Sequence, residues 1–216
     1  MRSINQKLAD LRIEYNIEKT ASGVLSDNPI DQFEKWMEDA IISSAAIPNA
    51  MHLSTVGEDG RPSGRIVLLN GLDERGFIFY TNYESRKGRD LKHCNYASLT
   101  FFWSELFRQV RIEGEVNKLP ESESETYFRN RPRESRISAL ASEQSSILDS
   151  RESLENKIRL LDEKFKGQPV PRPSEWGGYF LSPVRMEFWQ GKPHRLHDRI
   201  LYLNSGNSWK IQRLYP

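Results

Sequence analysis

Glu187-Phe188-Trp189-Gln190-Gly191-Lys192-Pro193-His194-Arg195-Leu196-His197-Asp198-Arg199 is the stretch that decides how the rest of the chain is read. Residues 187–190 have the character of a strand end, and residues 191–193 that of a turn. If 195–203 is extended, period 2 places Arg195, His197 and Arg199 on one face and Leu196 on the other. Two guanidiniums flanking an imidazole form a cationic wall suited to an anionic, planar ligand. The alternative is a solvated basic strand. Bounding by Trp189 and a tight Gly-Lys-Pro turn favours a site.

Outward from this late strand pair, an earlier run of strands calls for a partner. Residues 51–56 and 64–69 flank the turn Gly57-Glu58-Asp59-Gly60, and a turn over 73–76 leads into Phe77-Ile78-Phe79-Tyr80-Thr81. A short helix at 85–92 precedes two further strands near 97–103 and 107–118. Helices follow at 120–130, at 135–142 and where Leu154, Ile158, Leu161 and Phe165 recur at helical spacing. A three-proline loop at 167–173 then gives way to strands expected at 178–181, 184–190, 196–203 and 209–214. Strands early and late with helices between them predict an α+β fold, in which an antiparallel barrel removes the sheet edges. Near the N-terminus, Leu8, Leu11 and Tyr15 predict a helix within 3–19, with Arg12 and Tyr15 on a shared face. Asp27-Asn28-Pro29 opens an amphipathic helix, so 1–28 is taken as a separate segment and 29–216 as one domain.

Composition narrows the function. Lys+Arg 31 against Asp+Glu 30 leaves no general basic surface, so no nucleic-acid partner is expected and anion binding must be local. Cys94, the only cysteine, excludes an internal disulfide and a multi-cysteine metal site, and reads as a partly buried filler. There is no Cys/His cluster, nucleophile motif or Walker loop, and no metal is expected. No run reaches the length of a membrane span and no signal-peptide core is present, so a cytoplasmic location is expected.

Local anion grips are present. Arg65-Ile66-Val67-Leu68-Leu69-Asn70 reads as a strand covered on both faces, with Arg65 at a rim or an anion. In Tyr80-Thr81-Asn82-Tyr83-Glu84-Ser85-Arg86-Lys87-Gly88, Ser85 caps a helix whose first turn carries Arg86 and Lys87, against the dipole. A phosphate there resolves the conflict; two exposed cations are the alternative. Tyr127, Arg131 and Ser135 are four apart around Pro132, offering hydroxyl and guanidinium donors for a phosphate monoester. Glu143-Gln144-Ser145-Ser146 adds groups able to read a heterocycle's edge, and Gln109 either does so or is satisfied by backbone. Two phosphorylated, ring-bearing ligands account for these features, most simply a redox cofactor beside a substrate.

Arg65-Ile-Val-Leu-Leu, Tyr80-Thr81-Asn82, Ser85-Arg86-Lys87, Arg131-Pro-Arg-Glu-Ser135, Gln144-Ser-Ser and Arg195-Leu-His-Asp-Arg199 occur in the order seen in pyridoxamine 5'-phosphate oxidases, which the chain resembles from Leu11 to Pro216. The resemblance implies a dimeric FMN-binding split β-barrel with each flavin at the subunit interface. It assigns Arg65, Ile66, Val67, Leu68, Tyr80, Thr81, Arg86 and Lys87 to FMN from one subunit, and Gln109, Gln144, Ser145, Trp189 and Arg199 from the other. Tyr127, Arg131 and Ser135 are implied to grip the substrate phosphate, and Arg195 and His197 to lie over its ring as catalytic groups. Arg12 and Tyr15 match an Arg-x-x-Tyr that closes over substrate. The implied reaction oxidises pyridoxamine or pyridoxine 5'-phosphate to pyridoxal 5'-phosphate, with O2 as acceptor and H2O2 as product. The rivals are a phenazine-pathway-type oxidase of the same fold and a non-catalytic flavin or pyridoxal-phosphate carrier. Two positions depart from the pattern. Asn70 stands where a lysine usually faces the substrate phosphate, predicting looser binding, and Ile47 stands before Pro48 where some relatives place Asp.

Overall fold

The helix opened by Pro29 shows how local chemistry starts an element. Asn28 Oδ1 accepts from the Ile30 amide at 2.9 Å, and the proline occupies the first turn, where no amide donor is needed. The computed structural model describes residues 4–10, 25–206 and 208–216. Arg12 and Tyr15, with most of the helix expected in 3–19, lie outside the described residues; within them that helix is α1, Ile4–Asp10.

The remaining elements are α2 (Pro29–Ile42), β1 (Ala50–Val56), β2 (Pro62–Leu68), β3 (Gly71–Asp73), β4 (Gly76–Asn82), α3 (Arg86–His93), β5 (Tyr96–Trp103) and β6 (Arg108–Lys118). After them come α4 (Glu121–Arg129), α5 (Arg133–Ala141), α6 (Arg151–Lys164), β7 (Trp176–Gln190), β8 (Asp198–Asn204) and β9 (Trp209–Arg213). Hydrogen bonding orders the strands β2-β1-β5-β6-β7-β4-β3, with β8 on β7 and β9 on β8. The registers of β1 with β2, β3 with β4, and β7 with β4 and β8 are all antiparallel. The late strands thus join the sheet of the early ones.

The chain divides into two compact units. One comprises Met1–Pro48, Thr100–Arg111 and Arg185–Pro216. Its core sets Phe33 edge-on to Phe101 at 5.0 Å, and Trp36 edge-on to Phe188 at 5.2 Å. The other comprises Asn49–Leu99 and Ile112–Val184. Its strand β4 buries Phe77, Ile78 and Phe79 in succession, the pattern of a strand covered on both faces.

Three expectations need correction. Residues 178–181 and 184–190 are one strand, β7: the break suggested by Ser182-Pro183 falls between its registers with β4 and β8, which end at Leu181 and begin at Arg185. β2 is not covered on both faces, since Ile66 is 65% and Leu68 45% exposed. Residues 195–203 are not extended throughout. Pro193–Arg195 form a 3-10 turn in which His194 and Arg195 have φ of 56° and 61°, and β8 starts only at Asp198. Arg195, His197 and Arg199 are therefore not a row along one strand.

Candidate active site

A cavity of about 1010 Å³ opens in the unit formed by Asn49–Leu99 and Ile112–Val184. Residues from four of the predicted motifs line it: Arg65, Ile66, Val67, Leu68 and Asn70; Tyr80, Thr81, Arg86 and Lys87; Tyr127, Arg131 and Ser135; Gln144 and Ser145. Segments far apart in sequence, two of them read as phosphate grips, thus share one hollow.

The first grip centres on Lys87. Ser85 caps α3, its Oγ accepting from the Gly88 amide, and the helix turns Lys87 inward to 8% exposure while Arg86 stays exposed. Lys87 Nζ donates to Thr81 Oγ1 at 3.0 Å, Ser85 Oγ at 3.1 Å and Gln144 Oε1 at 2.8 Å. All three acceptors are neutral. Burial, and then the charge of Arg65, push the Lys87 amine down to about 8. A buried ammonium with no counter-ion among these bonds is able to take an anion as its partner. Lys87 is thus not an exposed cation.

Arg65 is held in place by the hairpin around it. Its Nη1 donates to the Leu53 and Ser63 carbonyls at 3.1 and 3.0 Å and to Thr55 Oγ1 at 2.7 Å; its Nη2 donates to Ser63 Oγ at 2.7 Å. Asp90 accepts from Thr55 Oγ1 at 2.7 Å and lies 3.7 Å from Arg65 Nη2. Asp90 was missed by sequence reading, because a lone aspartate inside a helix has no distinguishing pattern.

The second grip centres on Arg131. Arg129, Arg131, Arg133 and Arg136 crowd the corner between α4 and α5, and of these Arg129 and Arg133 are engaged by Glu125 and Asp162 at 3.0 and 2.8 Å. Arg131 instead lies over the Trp176 ring at 4.7 Å, and its Nη1 is buried with no hydrogen-bond partner among the described residues. Burial lowers its pKa, the cost of holding a cation away from water. Tyr127 stacks on Tyr80 at 3.7 Å and accepts from Asn70 Nδ2 at 2.9 Å. With Asn70 occupying one lone pair, the Tyr127 hydroxyl proton is available to a ligand. Trp176, which forms the floor under Arg131, was missed, since one tryptophan among five carries no positional signal.

Gln144 and Ser145 were assigned to a second subunit's contribution. The structure places both on the same chain's cavity, with Gln144 Oε1 also 3.1 Å from Thr81 Oγ1. The link is direct contact with Lys87, which sequence order does not disclose.

Arg195, His197, Trp189, Arg199 and Gln109 belong to the other unit. His197 packs on Trp189 with ring centres 4.6 Å apart, and its Nδ1 accepts from the Lys192 amide at 3.1 Å. That bond assigns the proton of the neutral ring to Nε2. Burial first, and then Arg195, lower the His197 pKa and favour this neutral form. Arg195 is exposed at the left-handed turn. Arg199 Nε donates to Glu187 Oε1 at 2.8 Å, and its Nη1 to the Tyr215 carbonyl at 3.0 Å. Gln109 lies half-buried in β6. Turn, histidine and strand are brought together, although not by the alternation expected.

Comparison with known proteins agrees with this geometry. The family model for pyridoxamine 5'-phosphate oxidase matches residues 37–164, and that for the pyridoxine 5'-phosphate oxidase C-terminal dimerisation region matches 176–216. A pyridoxine/pyridoxamine 5'-phosphate oxidase of Burkholderia lata is 52% identical over 212 residues, covering 97% of this chain and 99% of the relative. One from a Cyanothece species is 47% identical over 209 residues, covering 97% and 98%. The crystal structure of PhzG from Burkholderia lata, in complex with tetrahydrophenazine-1-carboxylic acid, matches with a TM-score of 0.84 and 36% identity, over 88% of this chain and 94% of that one. An FMN-binding, pyridoxamine 5'-phosphate oxidase-related protein of Nostoc punctiforme shares the fold at a TM-score of 0.72 and 18% identity, over 89% and 100%. The α+β fold of antiparallel split-barrel type with flanking helices is that of these proteins. Motif order, cavity lining and near-full-length similarity converge on one assignment: the chain belongs to the pyridoxine/pyridoxamine 5'-phosphate oxidase family.

Proposed function

We propose that the chain is an FMN-dependent oxidase that converts pyridoxamine or pyridoxine 5'-phosphate to pyridoxal 5'-phosphate in a homodimer, reducing O2 to H2O2. The alcohol loses a hydride from C4′ and a proton from its hydroxyl; the amine gives an imine that water hydrolyses to aldehyde and ammonia. The carrying observation is the single cavity that unites a buried, uncompensated Lys87 with an Arg131 whose Nη1 lacks a partner. Two anionic tails fit this donor set.

FMN, when bound, supplies the hydride acceptor and the route to O2. Lys87, Thr81 and Arg86 would hold its phosphate, Lys87 exchanging the Gln144 carbonyl for a phosphate oxygen. Arg65 is positioned by Ser63 and Thr55 to keep the local potential positive. Arg131, Ser135 and the Tyr127 hydroxyl would anchor the substrate phosphate, so that its ring is presented in a fixed orientation. Neutral His197, with its Nε2 proton, would donate to a ring substituent, and Arg195 would fix the substrate ring in place.

A second reading, an oxidase acting on another planar acid, draws on the neutral Asn70–Tyr127 pair, which leaves Arg131 as the cation of that grip, and on the likeness to PhzG. Peroxide release from FMN-loaded protein separates the two. Turnover with pyridoxamine 5'-phosphate and none with a tricyclic carboxylate supports the B6 reaction. The reverse pattern supports the second reading, and no peroxide from either defeats both.

A further inference from the structure

Glu187 is 3% exposed inside β7, where a carboxylate is costly unless it is paired. Its Oε1 accepts from Arg199 Nε at 2.8 Å; its Oε2 lies 3.6 Å from Arg111 Nη1 and has no hydrogen-bond partner among the described residues. The register explains the arrangement. Trp189 pairs with Arg199 and Glu187 with Leu201, so Glu187, Trp189 and Arg199 share a face, and Glu187 and Arg199 are diagonal neighbours. The Tyr215 carbonyl holds Arg199 Nη1 at 3.0 Å. Two of the three guanidinium nitrogens are thereby fixed, which sets the direction in which Nη2 points.

We propose that Glu187 is a positioning residue for the flavin site: it locks the Arg199 guanidinium and cancels much of its charge, so that Arg199 serves bound FMN as an oriented donor rather than as a free cation. The inference rests on the FMN reading above and on the expected contact of Arg199 with the FMN of the other subunit. Glutamine at 187 still accepts from Nε but removes the negative charge that faces Arg199. A more positive surrounding favours the more negative, reduced cofactor. Alanine removes the lock as well.

The test uses FMN-loaded full-length protein and two readouts, the FMN dissociation constant and the flavin midpoint potential. Glu187→Gln is expected to bind FMN within ~3-fold of the unaltered protein while its midpoint potential becomes more positive. Glu187→Ala is expected to weaken FMN binding by ~10-fold or more, and to add little in an Arg199→Ala background, because the two act as one unit. An unchanged potential in Glu187→Gln, or fully additive effects of Glu187→Ala and Arg199→Ala, would overturn the proposal. Should Glu187→Ala fail to fold, Glu187→Gln in the Arg199→Ala background carries the same test, with loss of its potential shift expected and persistence overturning the proposal. Failure of the unaltered protein to bind FMN would instead remove the cofactor reading, and this inference with it.

Discussion

Lys87 carries the most consequential charge in the cavity. Its three bonds go to uncharged acceptors, and burial with the neighbouring Arg65 brings it to about 8 from the ordinary 10.5. Because the folded-state value lies below the unfolded one, the ligand-free protein bears the full cost of the buried ammonium below pH 8. That cost is relieved as pH rises from 8 to 10.5. Apo-protein stability is therefore expected to rise with pH across that window. A phosphate dianion reverses the preference by favouring the charged amine. FMN affinity of the apo-protein is therefore expected to weaken ~10-fold per pH unit above about 8, read by fluorescence titration. Affinity that stays flat across the window would mean that Lys87 does not meet the phosphate. Asn70 makes a second prediction at this scale. Its amide bonds Tyr127 at 2.9 Å and brings no charge. Asn70→Lys is expected to lower KM for the phosphorylated substrate ~5-fold, the ~1 kcal/mol between neutral and charge-assisted bonds, with kcat unchanged. An unaltered KM would place residue 70 away from the phosphate.

At the scale of elements, helix α3 presents Lys87, and Gly88 lets it dock. A Cβ at Gly88 would sit 1.9 Å from the Tyr83 carbonyl oxygen, so any side chain must push the helix away from its strand. Gly88→Ala is expected to cost ~1–3 kcal/mol in thermal denaturation and to reduce FMN retention with it. A full-stability Gly88→Ala protein would show that α3 has room to shift. The sequence made this element legible because Ser85 is a strong cap signal ahead of a charged turn. Asn28-Pro29 made α2 legible for the same reason. The continuation of the 191–193 turn through His194 and Arg195 was not legible. Left-handed geometry at His194 and Arg195 runs against residue preference, so a strand pattern extended through it by default. Pro183 misled in the opposite sense: proline disfavours a strand interior in general, but here it falls between two registers. Such outcomes are decided by tertiary pairing, which no local pattern contains.

For the whole molecule, each unit holds its own cluster of candidate site residues. The cavity with its two grips belongs to one, and the Trp189, His197 and Arg199 cluster to the other. Motif chemistry made most of the cavity lining legible, because Tyr, Arg and Ser at fixed spacing state their anion preference openly. Trp176, Asp90 and Glu187 stayed hidden, since each acts by supporting another side chain rather than by meeting a ligand. The central claim is that two phosphate-tailed rings lie together in this site and exchange a hydride. Anaerobic mixing of FMN-loaded protein with pyridoxamine 5'-phosphate tests it most directly. Loss of the yellow colour with one pyridoxal 5'-phosphate formed per flavin is predicted; a colour that persists with substrate bound would contradict it.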